Sequence, residues 1–172
     1  AHLYRTSCGP EPAHAERETL QFLPSIAPAP ALQDAVGARS AVLVSRSTDG
    51  GASWGPAIPL IDDDGTRFFN DKESLTIDST DPNHVYAVWD RLDPSERGVT
   101  LLARSTDGGV NWSPPVPIYD PGVARQTIGN VAVTTPDGTH HIICQGQQRF
   151  RVVELLEGYP FLVARVAPIE EP

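Results

Sequence analysis

The ten residues 45–54, SRSTDGGASW, return almost unchanged at 103–112 as ARSTDGGVNW. The copies align Ser47 with Ser105, Asp49 with Asp107, Gly51 with Gly109 and Trp54 with Trp112, and the offset from 49 to 107 is 58 residues. A phrase repeated at such an interval marks a repeating supersecondary unit, somewhat longer than the ~40–50 residues of common propeller blades.

Each phrase sits between two apolar runs. AVLVSR (41–46) and TLLAR (100–104) read as strands, and the STDGG that follows reads as a tight turn. The Asp carboxylate accepts hydrogen bonds from backbone N–H groups of such a turn, and the Ser hydroxyl does the same more weakly. Gly supplies positive φ without steric cost. Trp opens the next strand with its ring available for burial. PAIPLI (56–61) and PPVPIY (114–119) are the return strands. Their prolines place them at sheet edges, where a missing N–H is tolerated.

Between the phrases, ESLTID (73–78) and VYAVWD (85–90) read as strands joined by the turn STDPNH (79–84), with LDPSERG (92–98) as a loop. The expected fold is therefore all-β, built of antiparallel four-stranded meanders that form about two blades of an incomplete propeller. Seventeen Pro and fourteen Gly among 172 residues agree with many short elements and turns.

The pattern S-x-D-x-G-x-x-W is the Asp-box, or BNR repeat, and both copies keep it without departure. FNDKESLTIDSTDPNHVYAVWDR (69–91) resembles the segment between boxes in bacterial sialidase-like proteins. The resemblance covers roughly 30–130 and implies a six-bladed propeller of exo-α-sialidase type, with a glycan ligand. It makes Ser47, Asp49, Gly51, Trp54, Ser105, Asp107, Gly109 and Trp112 structural residues that hold turns, and it puts the ligand site at the opposite end of the blades. Alternation of loops in a meander brings Asn70, Asp71, Lys72 and Glu73 beside Asp90 and Arg91 on that rim. Arg125 and Gln126 reach the same rim. Arg matches a carboxylated sugar bidentately; the alternative is a solvated salt-bridge network. Sialidases also use three arginines, an acid/base Asp and a Tyr–Glu nucleophile pair, outside the usual two-carboxylate scheme. Tyr4-Arg5-Thr6-Ser7 lacks the Ile-Pro of the family's first arginine motif, and the propeller part offers no Tyr–Glu pair. The catalytic set is incomplete, and a binding-only module fits better than a working hydrolase.

The last segment is different. PDGTHHIICQGQQRFRVVELLEGYPFLVARV (136–166) resembles the amino-terminal domain of Lon-type ATP-dependent proteases, which recruits substrates and carries no catalytic residues. HIIC (141–144), RFRVVEL (149–155) and FLVARVAPI (161–169) read as strands, without an Asp-box or blade rhythm. The chain then divides into an unassigned segment 1–30, Asp-box blades over 31–130 and a Lon-like β segment over 131–172. So abrupt a change of family points to a join between about 120 and 136, with a natural two-domain protein as the rival. The Lon resemblance supplies a second function, a non-enzymatic protein-interaction module.

Open blades leave strand edges available for self-association or a protein partner. With a net charge of −9 and no Lys/Arg block, the chain lacks a nucleic-acid footprint. No run approaches the ~20 apolar residues of a membrane span, and no signal peptide is visible. The sialidase-like part implies a secreted or periplasmic location, the Lon-like part a cytoplasmic one. His140 and His141 point to opposite faces of a strand, and no Cys/His cluster supports a metal or other cofactor. Cys8 and Cys144 are either a long-range pair or two unrelated thiols, Cys144 reading as a small buried hydrophobe.

Overall fold

The structure, a computed structural model, describes residues 3–8, 39–135, 139–145, 150–156 and 163–167. Residues 9–30 of the unassigned segment, and the ends 149, 161–162 and 168–169 of the strands expected at 149–155 and 161–169, lie outside the described residues. Eleven strands are described: β1 (Leu3–Cys8), β2 (Arg39–Ser47), β3 (Ile58–Asp64), β4 (Phe69–Ile77), β5 (Val85–Leu92), β6 (Gly98–Ser105), β7 (Val116–Tyr119), β8 (Val131–Thr134), β9 (His140–Gln145), β10 (Phe150–Leu156) and β11 (Val163–Ala167). All strand pairings are antiparallel and join sequence neighbours, so the all-β meander reading holds.

The strands form three sheets of order β1-β2-β3, β4-β5-β6-β7 and β8-β9-β10-β11. Among the described residues, β8–β11 form a four-stranded antiparallel meander of the same order as the second sheet. Residues 3–8 form a strand on β2 in register from Leu3↔Ser47 to Cys8↔Val42. β3 and β7 lie at sheet edges, as expected from their prolines Pro59 and Pro117.

The middle sheet is covered on both faces, and β5 shows how. Side chains alternate across a strand. Val85, Ala87 and Trp89 join Val42, Val44, Leu60, Leu101 and Ala103 in a core shared with the first sheet. Tyr86, Val88 and Leu102 join Ala132, Ile142, Cys144, Val153 and Leu155 in a core shared with the third. Six consecutive residues of β5, Val85–Asp90, are buried. At roughly 1.5–3 kcal/mol for each fully buried large apolar side chain, the second core is a substantial attachment. The third sheet is thus packed against the repeat-bearing second sheet. Cys144 is a free thiol in that core, and burial pushes it up to about 11.

Candidate functional site

The two repeated turns share a set of corresponding hydrogen bonds. In the first, the Ser47 hydroxyl donates to Asp49 Oδ1 at 2.7 Å and accepts from Gly51 N at 2.8 Å. Ser53 N donates to Asp49 Oδ1 at 2.9 Å, and the Ser53 hydroxyl donates to Oδ2. In the second, Ser105 donates to Asp107 Oδ1 at 2.9 Å and accepts from Gly109 N at 2.8 Å. Asn111 donates to Asp107 through its backbone at 2.8 Å and its side chain at 2.6 Å. Gly51 and Gly109 have φ of 90° and 79°, a conformation that glycine adopts cheaply. Trp112 packs on the first core and donates Nε1 to Gly109 O at 3.3 Å, while Trp54 is half-buried. The donors from Ser53 and Ser47 hold Asp49 well below the usual carboxylate range. Those from Asn111, Ser105 and Val110 bring Asp107 to about 2. Ser53 and Asn111 were not singled out in the sequence, because the repeat does not conserve their residue type. Both carboxylates point into their own turns.

The opposite ends hold the rim residues. Asn70 pairs with Arg91 and Asp71 with Asp90, and one extra residue follows in β4 before Ser74 meets Val88. This is a bulge, and Lys72 within it has φ of 55°. The bulge turns Asp71 and Lys72 toward each other at 3.7 Å, both part-exposed. Glu73 is half-buried and Arg125 exposed. The Arg125 carbonyl accepts from Gly98 N at 2.9 Å, and Gln126 bridges to Gly98, so this loop does reach the rim.

Asp90 and Arg91 are engaged inside the molecule. Asp90 is fully buried, and its carboxylate accepts from Thr127 Oγ1, Asn130 Nδ2 and, at 3.1 Å, Gly129 N. Thr100 donates to Thr127 at 3.0 Å and lies 3.6 Å from Cys144 Sγ, which ties the cluster to β9. Burial raises Asp90 to about 6, against its three donors and with a further push from Asp71. Arg91 grips Asp63 through Nε and Nη2, both at 2.7 Å, and lies 3.5 Å over the Phe68 ring. Burial opposes ionisation of Asp63, but the bonds from Arg91 and Asn70 outweigh it and hold its carboxyl low. Trp89 Nε1 donates to Asn70 Oδ1 at 3.0 Å. Asp63, Thr127 and Asn130 were missed by sequence reasoning, which had no signal to connect them with residues 28–40 positions away.

A groove of about 700 Å³ lies beside Arg91, between β3 and the β6–β7 hairpin. Its walls are polar and apolar in nearly equal measure, with Ile61, Phe68, Val99, Leu101, Pro117 and Tyr119 beside the charged Arg91, Asp93, Arg97 and Asp120. The Arg97–Asp120 ion pair stands at its side. No group of three or more His, Cys, Asp or Glu able to hold a metal ion occurs among the described residues. No described helix is long and apolar enough to cross a membrane.

The chain is similar to Lon proteases. It is 42% identical over 77 residues to the Lon protease of Methylocella silvestris, covering 45% of this chain and 9% of that protein. With the Lon protease of Phenylobacterium zucineum it shares 54% identity over 48 residues, 27% of this chain and 6% of the relative. With that of Paraburkholderia phytofirmans it shares 45% over 58 residues, 32% and 7% respectively. The chain thus spans less than a tenth of the length of each of these relatives. No family model matches the chain.

Proposed function

We propose that the chain is a non-enzymatic polypeptide-binding module, with a C-terminal sheet related to the substrate-recruiting domain of Lon-type proteases. The similarity to Lon proteases at 42–54% identity carries this reading. The rim supports it, since Asp90 is buried under three donors and Arg91 is bound to Asp63. A hydrolase needs an acid and a cation that reach the substrate. The groove beside β7 suits an extended segment carrying apolar side chains, and the short edge strand offers backbone groups next to it. On this reading 31–130 supplies the groove, 131–172 braces it from behind, and the location is cytoplasmic.

A second reading is favoured by one observation, the matching bonds of the Ser47–Asp49 and Ser105–Asp107 turns. It is a sialidase-like glycan-recognising module, with Asp71, Lys72, Glu73 and Arg125 as the surface groups that meet a carboxylated sugar and Asp90 and Arg91 behind them.

Two titrations separate the readings. Fluorescein-labelled unfolded casein should bind saturably, while a fluorogenic sialoside is not turned over at high protein concentration. Sialoside turnover that disappears in Arg91→Ala would establish the second reading and overturn the first.

A further inference from the structure

The end of the second sheet opposite the rim carries a buried polar cluster that neither the groove nor the rim uses. His140 opens β9 and is 2% exposed. Its Nε2 lies 3.2 Å from Asp78 Oδ2 and 3.0 Å from the Tyr86 hydroxyl, and its Nδ1 lies 3.1 Å from Thr134 Oγ1. Asp78 follows β4, and its Oδ1 accepts from Thr80 N at 2.6 Å, Thr80 Oγ1 at 2.7 Å and Asp81 N at 3.2 Å. Its Oδ2 faces His140 and, at 3.9 Å, Nδ1 of the part-exposed His84. Burial opposes ionisation of Asp78, but the donors from Thr80 and Asp81 and the nearby His140 outweigh it and hold its carboxyl below the usual range.

These partners suit a doubly protonated ring. A neutral imidazole has one donor and one acceptor nitrogen, whereas an imidazolium donates from both. The Asp78 carboxylate only accepts, so it calls for a proton on Nε2. Thr134 Oγ1 accepts as readily as it donates, so it serves Nδ1 in either charge state. The imidazolium thus has an acceptor on each side and a negative charge in contact, the conditions under which a cation is buried. The strands beside β9 bring Thr134 from β8, and Leu155 from β10 with Ala164 of β11 beyond it. His84 shares Asp78 Oδ2, and its exposure lets solvent screen it.

The cluster also straddles two sheets. His140 and Thr134 belong to the third, Tyr86 to the second. The Ser79 hydroxyl donates to Thr135 O at 3.2 Å, and Gly108 N of the second repeated turn donates to Asn83 O at 2.8 Å. The 78–84 turn is therefore fastened to the third sheet on one side and to the repeated turn on the other.

We infer that His140 is a proton-operated clasp: its imidazolium, paired with Asp78, holds β8 and β9 against the 78–84 turn, and loss of the proton loosens them. Separation of the sheets returns His140 to water, where a histidine titrates at ~6.5. In the attached state Asp78 favours the charged ring, so this state binds the proton more tightly. By linkage, attachment strengthens as pH falls through neutrality and weakens as it rises. Asp90 releases its proton at about 6, so a melt of the whole molecule blends the two groups and a site-resolved signal is needed.

The test is an NMR titration of the 172-residue chain from pH 5 to 9, following the ring Cε1–H signals of its five histidines with His140 assigned through its sequence neighbours. The inference predicts a His140 midpoint above the ordinary histidine value, lowered by about one pH unit or more in Asp78→Asn. Amide protection of β8 and β9 should fall across the same midpoint. A midpoint at or below the ordinary value, a signal that does not move, a midpoint unchanged in Asp78→Asn, or amide protection that stays constant through it would overturn the inference. If Asp78→Asn does not fold, the wild-type midpoint and amide protection decide by the same criteria.

Discussion

The Tyr86 hydroxyl lies 3.0 Å from His140 Nε2, bridging the second sheet, which carries the second repeated turn, and the third. The same nitrogen lies 3.2 Å from Asp78 Oδ2, and the other ring nitrogen lies 3.1 Å from Thr134 Oγ1. All three groups at Nε2 are buried. Tyr86→Phe removes the hydroxyl and keeps the ring, whose centroid is 4.4 Å from that of His140. A buried hydrogen bond contributes about 1 kcal/mol net. The urea midpoint should fall accordingly, in one transition seen by both tryptophan fluorescence and circular dichroism. Two separated transitions would show that the third sheet folds apart from the second.

Gly98 tests the loop that brings Arg125 and Gln126 to the rim. A Cβ at Gly98 would stand 2.6 Å from Gln126 Cβ and 3.0 Å from its Cα, a contact the backbone must yield to. Gly98→Ala should cost about 1–3 kcal/mol, the range of an overpacked site. Gly50, with φ of +75° and nothing within 4 Å of a Cβ, isolates the conformational term alone. Gly50→Ala should cost about 1 kcal/mol. Thermal melts of the two variants give the ordering directly.

Asp107 is held near 2 by donors from Asn111, Ser105 and Val110. Its folded value lies below the ordinary 3.8, so its contribution is present above that value and fades as pH falls toward 2. Asp107→Ala should lower the melting temperature at pH 7, and the gap from wild type should narrow between pH 4 and pH 2. A gap that is constant with pH would mean the carboxylate charge is not what holds the turn.

Asp90 has the opposite sign. Burial raises it from 3.8 to about 6, so the folded state holds its proton more tightly than the unfolded chain. Its ionisation lowers stability as pH rises from 3.8 to 6 and adds nothing further above that. Asp90→Asn removes the titration and places an amide donor against one of the three present donors. The stability advantage of wild type over Asp90→Asn should therefore be larger at pH 5 than at pH 7.5, by about 1 kcal/mol at 1.36 kcal/mol per pKa unit. Chemical denaturation at both values checks the direction, and a larger advantage at pH 7.5 would contradict it.

The strands were legible where apolar runs met turn chemistry. AVLVSR and TLLAR stop where a Ser-Thr-Asp-Gly-Gly turn begins, and both strands end at that Ser. The start of β4 was not legible, because Asn70-Asp71-Lys72-Glu73 is polar and its bulge breaks the two-residue period. The strands β9–β11 carry no Asp-box, so the repeat gave no signal that β8–β11 would form a four-stranded meander like the second sheet. At the rim, the sequence placed Asp71 and Asp90 side by side. The burial of Asp90 was hidden, since it depends on Thr127 and Asn130 arriving from a loop far along the chain.

Polypeptide binding at the groove beside β7 is tested most directly by fluorescence anisotropy of labelled unfolded casein, titrated with wild type and with Pro117→Glu. Pro117 is exposed on an edge strand and lines the groove, so the variant should keep the wild-type melt. The account predicts saturable binding that weakens tenfold or more in the variant. No binding by the wild type, or equal binding by the variant, would contradict it.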